Sequence, residues 1–121
     1  MQFTLLTSAA VLALASSAFA GSHLWQFSEA FSSPDGQIQF IELHLPTSAN
    51  SETLLAGKKV TSLATGKFVT FPANLTPPTG LKYILLATSA FAALPGAPTP
   101  DLIIPPNFFG TNGDTLKYHV Y

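Results

Sequence analysis

Residues 37–45 read Gln-Ile-Gln-Phe-Ile-Glu-Leu-His-Leu, and the alternation in this stretch decides the fold class. Side chains along a strand point to opposite faces with a period of two. Ile41, Leu43 and Leu45 therefore share one face, while Ile38, Phe40, Glu42 and His44 share the other. One purely apolar face beside a mixed one predicts a half-buried strand. Immediately upstream, Ser32-Ser33-Pro34-Asp35-Gly36 is a predicted turn. Pro presets φ at the first corner, Asp accepts local backbone bonds and Gly accepts positive φ. Before that turn, the alternating run His23–Ser28 predicts another strand.

Downstream the same punctuation continues. Pro46 to Ser51 is a polar loop, and short strands are predicted near Lys59–Ala64 and Lys67–Phe71, joined by Thr65-Gly66. Pro72 to Gly80 is a Pro-rich connection to the apolar run Tyr83–Ala87, which is predicted to be buried on both faces. Ser89 is predicted to cap a short helix that runs through Leu94 and stops at Pro95-Gly96. Leu102–Ile104 predicts a brief strand against Pro105-Pro106. Asn112-Gly113 marks a tight turn before a last strand over Thr115–Tyr121. All 10 Pro and 8 Gly lie after residue 20, at intervals that suit an all-β sandwich and exclude long helices.

The first twenty residues differ in kind. Met1 to Ala20 contains no charged side chain; it is an apolar stretch of Phe, Leu, Val and Ala that ends in Ala18-Phe19-Ala20, followed by Gly21. Small residues at Ala18 and Ala20 fit the narrow pockets of a signal peptidase, which predicts cleavage between Ala20 and Gly21. The Ser and Thr residues inside the stretch weaken a membrane anchor, which needs about 20 consecutive apolar residues. The expected organisation is a signal-peptide helix over 1–20 and one β-sandwich domain over 21–121. That domain length suits a single core.

Composition excludes several functions. The five basic residues are all Lys and the six acidic residues bring the formal net charge to −1, so phosphate neutralisation on a nucleic acid has no clustered basis. The absence of Cys removes disulfides, thiolate metal sites and a Cys nucleophile.

Several short motifs follow one another in a recognisable order. Gln39-Phe40-Ile41-Glu42-Leu43 comes first, then Leu55-Ala56-Gly57-Lys58-Lys59-Val60, then Phe68-Val69-Thr70-Phe71-Pro72. Leu75, Gly80 and Tyr83-Ile84-Leu85-Leu86-Ala87 follow, with Asn112-Gly113-Asp114-Thr115-Leu116 near the end. This order resembles the lamin-tail domain over roughly residues 23–120. The resemblance implies an immunoglobulin-like β-sandwich that serves as an interaction or surface module, with no cofactor and no catalytic residues to carry over. Two departures stand out. Lys58 and Lys59 occupy the place where the family usually has an aromatic, and the family pattern continues with at least one more strand beyond Tyr121. An incomplete sandwich, as in a fragment of a larger surface protein, is therefore one of the readings.

Other constellations have plainer explanations. Glu42 and His44 share a strand face, and with His119 or Asp114 they would offer a metal three ligands. The alternative function is accordingly a small secreted hydrolase or metal-dependent enzyme using Glu42 and His44. No G-x-S-x-G elbow supports a serine nucleophile. Asp35-Gly36 and Asn112-Gly113-Asp114 lack the carboxylate density of a calcium loop. Asn74-Leu75-Thr76 is a glycosylation sequon followed by Pro77. Trp25, Phe27, Phe31, Phe40, Phe68 and Phe71 are expected to fill the space between two sheets, while Phe108-Phe109 beside Gly110 leaves two readings open, one ring exposed as a binding surface or a plug for the core. The sequence thus predicts a secreted, periplasmic or cell-surface binding module without catalysis. Its partner would be a protein or surface polymer, with no nucleic acid and no membrane contact beyond export.

Overall fold

The computed structural model describes residues 21–119. The predicted signal peptide, with Ala18 and Ala20, lies outside the described residues, as do Val120 and Tyr121. Seven strands and one helical turn follow in order: β1 Gln26–Ser32, β2 Gln39–His44, β3 Lys59–Ser62, β4 Phe68–Thr70, β5 Tyr83–Ala87, α1 Ser89–Ala92, β6 Leu102–Ile103 and β7 Leu116–His119. They form a four-stranded sheet in the order β1-β2-β5-β6 and a three-stranded sheet in the order β4-β3-β7. The chain is an all-β sandwich. The β1-β2-β5 and β4-β3-β7 pairings are antiparallel, and only β6 joins its neighbour in parallel.

The core lies where the apolar faces of the two sheets meet. Ile41, Leu43, Leu45, Ile84 and Leu86 from the larger sheet pack with Val60, Leu55, Phe71, Ile104, Phe108 and Phe109, and Trp25 closes one end. The reading of β2 holds residue by residue, since Ile41, Leu43 and Leu45 are fully buried while Phe40, Glu42 and His44 are half-buried. Burying a Leu or Ile side chain is worth about 1.5–3 kcal/mol, so this face dominates the stability of the strand.

Several expectations need correction. The first strand starts at Gln26 rather than His23 and carries a bulge between Phe27 and Glu29. Phe27 pairs with core-facing Leu43, but beyond the extra residue Ser28 the pairs are Glu29 with Glu42 and Phe31 with Phe40. A bulge shifts the alternation by one. It throws Phe31 onto the outer face, so Phe31 does not fill the core. Phe68 and Phe27 are likewise exposed and Phe40 is half-buried; of the six predicted core rings only Trp25 and Phe71 are buried. Phe108 and Phe109, for which both a core and an outward placement were open, are both buried. Strand β5 is not buried on both faces either, because Tyr83 points to solvent and Leu85 is half-buried. The helix cap is Thr88, whose side chain accepts from Phe91 N, and not Ser89; the turn ends at Ala92.

Phe108 and Phe109 stay inside because Gln39 holds their backbone. Gln39 lies on the core face of β2 and is fully buried. Its Oε1 accepts from Phe108 N (2.8 Å) and Phe109 N (3.3 Å), while its Nε2 donates to Phe109 O (2.9 Å) and Ser32 Oγ (3.0 Å). A buried amide that uses both donors and both acceptor positions avoids the cost of an unpaired polar group. The hairpin turn packs against the same loop: Gly36 has φ 72°, and a Cβ there would collide with the Asn107 carboxamide. Only glycine fits that position.

Asp114 ties the β3–β4 turn to the segment entering β7. Its carboxylate accepts from Ser62 Oγ, Ala64 N, Gly110 N and Thr115 N. Burial pushes this carboxyl up, but the four hydrogen bonds outweigh burial and hold it below its ordinary value of 3.8.

Candidate functional site

The outer face of the larger sheet carries an open cleft of about 410 Å³. Three rows of side chains run across this face, set by strand register. The middle row is acidic: Glu29 on β1 pairs directly with Glu42 on β2, Leu85 follows on β5, and Asp101 lies beyond, just before β6. One flanking row is Phe31 and Phe40, whose rings stack at 5.9 Å between centroids, and Phe91 of α1 meets Phe40 at 5.3 Å. The other is His44 against Tyr83, stacked at 4.2 Å. The segment Pro98-Thr99 completes the wall.

Local sequence explains each placement. The bulge at Ser28 turns Glu29 and Phe31 outward, and Ser28 Oγ donates to Glu42 Oε1 at 2.7 Å. Asp101 is anchored twice on the edge of β5: its N donates to Leu85 O and its Oδ2 accepts from Leu85 N, both at 2.8 Å. The chain entering β6 thereby pairs along an edge of β5 that would otherwise be open. Directly opposed residues on antiparallel strands lie about 4.5–5.5 Å apart at Cα, so Glu29 and Glu42 present like charges to one another. Among the described residues no lysine, arginine or histidine is part of the cleft lining; His44 stands beside it, stacked on Tyr83.

The two outer faces of the sandwich differ in charge. Lys59 and Lys117 belong to the smaller sheet, where Lys59 Nζ lies 4.7 Å from the centre of the Phe68 ring. The larger sheet's outer face holds Glu29, Glu42 and Asp101.

The metal set considered from the sequence is not assembled. Glu42 and His44 do share the outer face of β2, but Asp114 and His119 belong to the other sheet. His44 Nδ1 lies 3.1 Å from Lys82 O and its ring is stacked on Tyr83. Among the described residues no group of three or more His, Cys, Asp or Glu side chains could hold a metal ion. Asp35 serves its own turn by accepting from Ser33 Oγ and Gln37 N; the Ser33 hydroxyl, followed by the Gln37 amide, holds its carboxyl below the usual range. Asn74 Oδ1 accepts from Ala56 N, so the sequon side chain has a structural partner.

Gly21, the residue after the predicted cleavage point, is hydrogen-bonded into the domain: its N donates to Ser51 O and its O accepts from Leu54 N, both at 3.0 Å. Among the described residues no helix is long and apolar enough to cross a membrane.

Glu29, Phe91 and Asp101 were not singled out by sequence reasoning, although Phe91 and Asp101 bracket the stretch that holds Pro95, Pro98 and Pro100. They come from separate stretches that only the sheet register unites. No family model, curated protein or solved structure matches this chain.

Proposed function

We propose that this chain is an exported, non-catalytic binding module of lamin-tail type that seats a partner protein or surface polymer on the outer face of its larger sheet. The cleft is the observation that carries the reading. It is concave, ring-lined and supplied with a few convergent polar groups, which is the usual make-up of a recognition site. Its side chains sit on paired strands, so the surface is rigid before the partner arrives, and less ordering entropy opposes association. Export is supported by the small-x-small pattern at Ala18 and Ala20, and the lamin-tail type by the order of motifs from Phe40 to Asp114.

The mechanism is presentation without chemistry. Phe40, Phe91 and Tyr83 offer apolar area, and Glu29, Glu42 and Asp101 set charge preference. The test is capture from the extracellular or envelope fraction with the wild-type chain and with a Phe40→Ala/Leu85→Lys variant as baits. Specific recovery by the wild type and its loss in the variant is the expected result. Equal recovery by both baits would remove the cleft from the function. N-terminal sequencing of the exported product is expected to begin at Gly21.

A further inference from the structure

We infer that the cleft receives a lysine or arginine side chain carried on an apolar segment of a partner polypeptide. This rests on the binding-module reading and gives its partner a chemistry. The first support is uncompensated charge. Glu29 and Glu42 face each other in register, and Asp101 stands two strands beyond Glu42 with Leu85 between them. Among the described residues the cleft lining contributes no basic group; Lys82 lies in an adjoining hollow that shares Tyr83 and Asp101. With neighbouring strands about 4.8 Å apart, the three carboxylates span roughly 15 Å of one row. A ligand without hydrogen-bond donors lying on them would strip water from like charges and return nothing. An ammonium or guanidinium group replaces that water with ion pairs and relieves the repulsion.

Free acceptor capacity remains where it is needed. Glu42 Oε1 is engaged by Ser28 and Asp101 Oδ2 by Leu85 N, which leaves the second oxygen of each for a donor. The lining donors among side chains are only the Tyr83 and Thr99 hydroxyls. A sugar, which must satisfy donors and acceptors on every hydroxyl, is therefore a poorer match than a group made only of donors.

The rings supply the rest. Phe40 and Phe91 flank the acidic row on one side and Tyr83 on the other, so a long aliphatic stem would lie on ring surface while its charged head meets carboxylate. The protein already makes this contact internally, with Lys59 Nζ over the Phe68 ring on the opposite face. Finally, apolar surface continues past the cleft: Phe31 is 48%, Tyr83 59% and Ile103 50% exposed. A free amine would leave that rim uncovered, whereas apolar residues flanking a Lys or Arg in a polypeptide would bury it.

The inference is tested by amide NMR titration of the purified chain with four probes: acetylated Leu-Lys-Leu amide, its neutral norleucine twin, butylammonium chloride and cellotetraose. The expected result is saturable shifts in β1, β2, β5 and Asp101 with the lysine peptide, bound at least about tenfold more tightly than the twin, a preference that weakens as salt is raised. Glu29→Gln/Glu42→Gln is expected to erase the difference between the two peptides while leaving the spectrum folded. Equal binding of the twin would overturn the role of charge. Butylammonium binding as tightly as the lysine peptide would overturn the polypeptide. Shifts with cellotetraose alone would overturn the cation but leave the cleft a binding site, as would self-association of the chain that the double Gln variant abolishes. Silence with all four probes, together with loss of capture by the Phe40→Ala/Leu85→Lys bait, would overturn the cation inference and keep the module. Silence with no capture by either bait would end both.

Discussion

Replacing Gln39 by Leu probes the interaction that closes the sandwich. The substitution keeps an apolar side chain of similar bulk on the core face of β2, but it orphans Phe108 N, Phe109 N and Phe109 O. Each buried backbone group left unpaired costs about 1–3 kcal/mol. The loop cannot simply swing out to water, because Thr65 Oγ1 donates to Phe108 O (2.6 Å) and Lys67 Nζ to Asn107 O (2.8 Å). Three orphaned groups thus cost at least about 3 kcal/mol, and the added apolar burial returns roughly 1 kcal/mol. The net loss is about 2–8 kcal/mol, a large share of the 5–15 kcal/mol typical of a domain. Urea unfolding followed by fluorescence of Trp25, the single Trp and only 3% exposed, reports it. The midpoint is expected to fall by roughly 1 M or more at unchanged slope. A fall below about 0.5 M would refute the reasoning, since the orphaned groups would then have found other partners.

Three further outcomes follow from the same structure. Burial pushes the Tyr118 phenol up to about 12, with the Glu52 carboxylate adding to the rise, and the neutral phenol donates to Ser22 O. An unfolded Tyr ionises near pH 10, so its contribution is fully present below about pH 10 and is lost as pH rises through about 12. Phenolate absorbance is expected to show this late step in the wild type and not in Tyr118→Phe. Asp114, with its carboxyl held low, contributes stability above its unfolded value of 3.8 that disappears as pH falls through the lower folded value. Asp114→Asn is expected to flatten the acid limb of a stability profile and to lose about 1–2 kcal/mol at pH 7, measured by urea unfolding. Glu42→Gln removes the like-charge pair with Glu29 and is expected to raise stability by about 0.2–1 kcal/mol; adding Glu29→Gln should gain little more, because the repulsion is removed once.

Much of the fold was legible because burial here follows a period of two. Ile41, Leu43 and Leu45 announced their face, and Pro34-Asp35-Gly36, Thr65-Gly66 and Asn112-Gly113 announced turns through their special backbone requirements. What escaped was non-local. Strict alternation places Phe27, Glu29 and Phe31 together, and nothing in Ser28 signals that a bulge will separate them. The buried Gln39 looked like an ordinary polar residue until the backbone of Phe108 and Phe109 arrived to satisfy it. Part of the candidate site was visible, since Phe40, Glu42 and His44 were placed on one face of the strand, although Phe40 was also expected in the core. The other part, Glu29 and Asp101, depends on which strands become neighbours. That choice is made by the core and not by the residues of the site.

Carboxyl footprinting tests the central claim most directly. The captured partner is added to the purified chain, carboxylates are labelled with a carbodiimide and an amine, and each site is read by mass spectrometry. Glu29, Glu42 and Asp101 are expected to lose labelling when the partner is bound, while exposed Asp35 at the hairpin turn keeps it. Unchanged labelling of the three cleft carboxylates in a saturated complex would contradict the account, because the partner would then be held elsewhere on the sandwich.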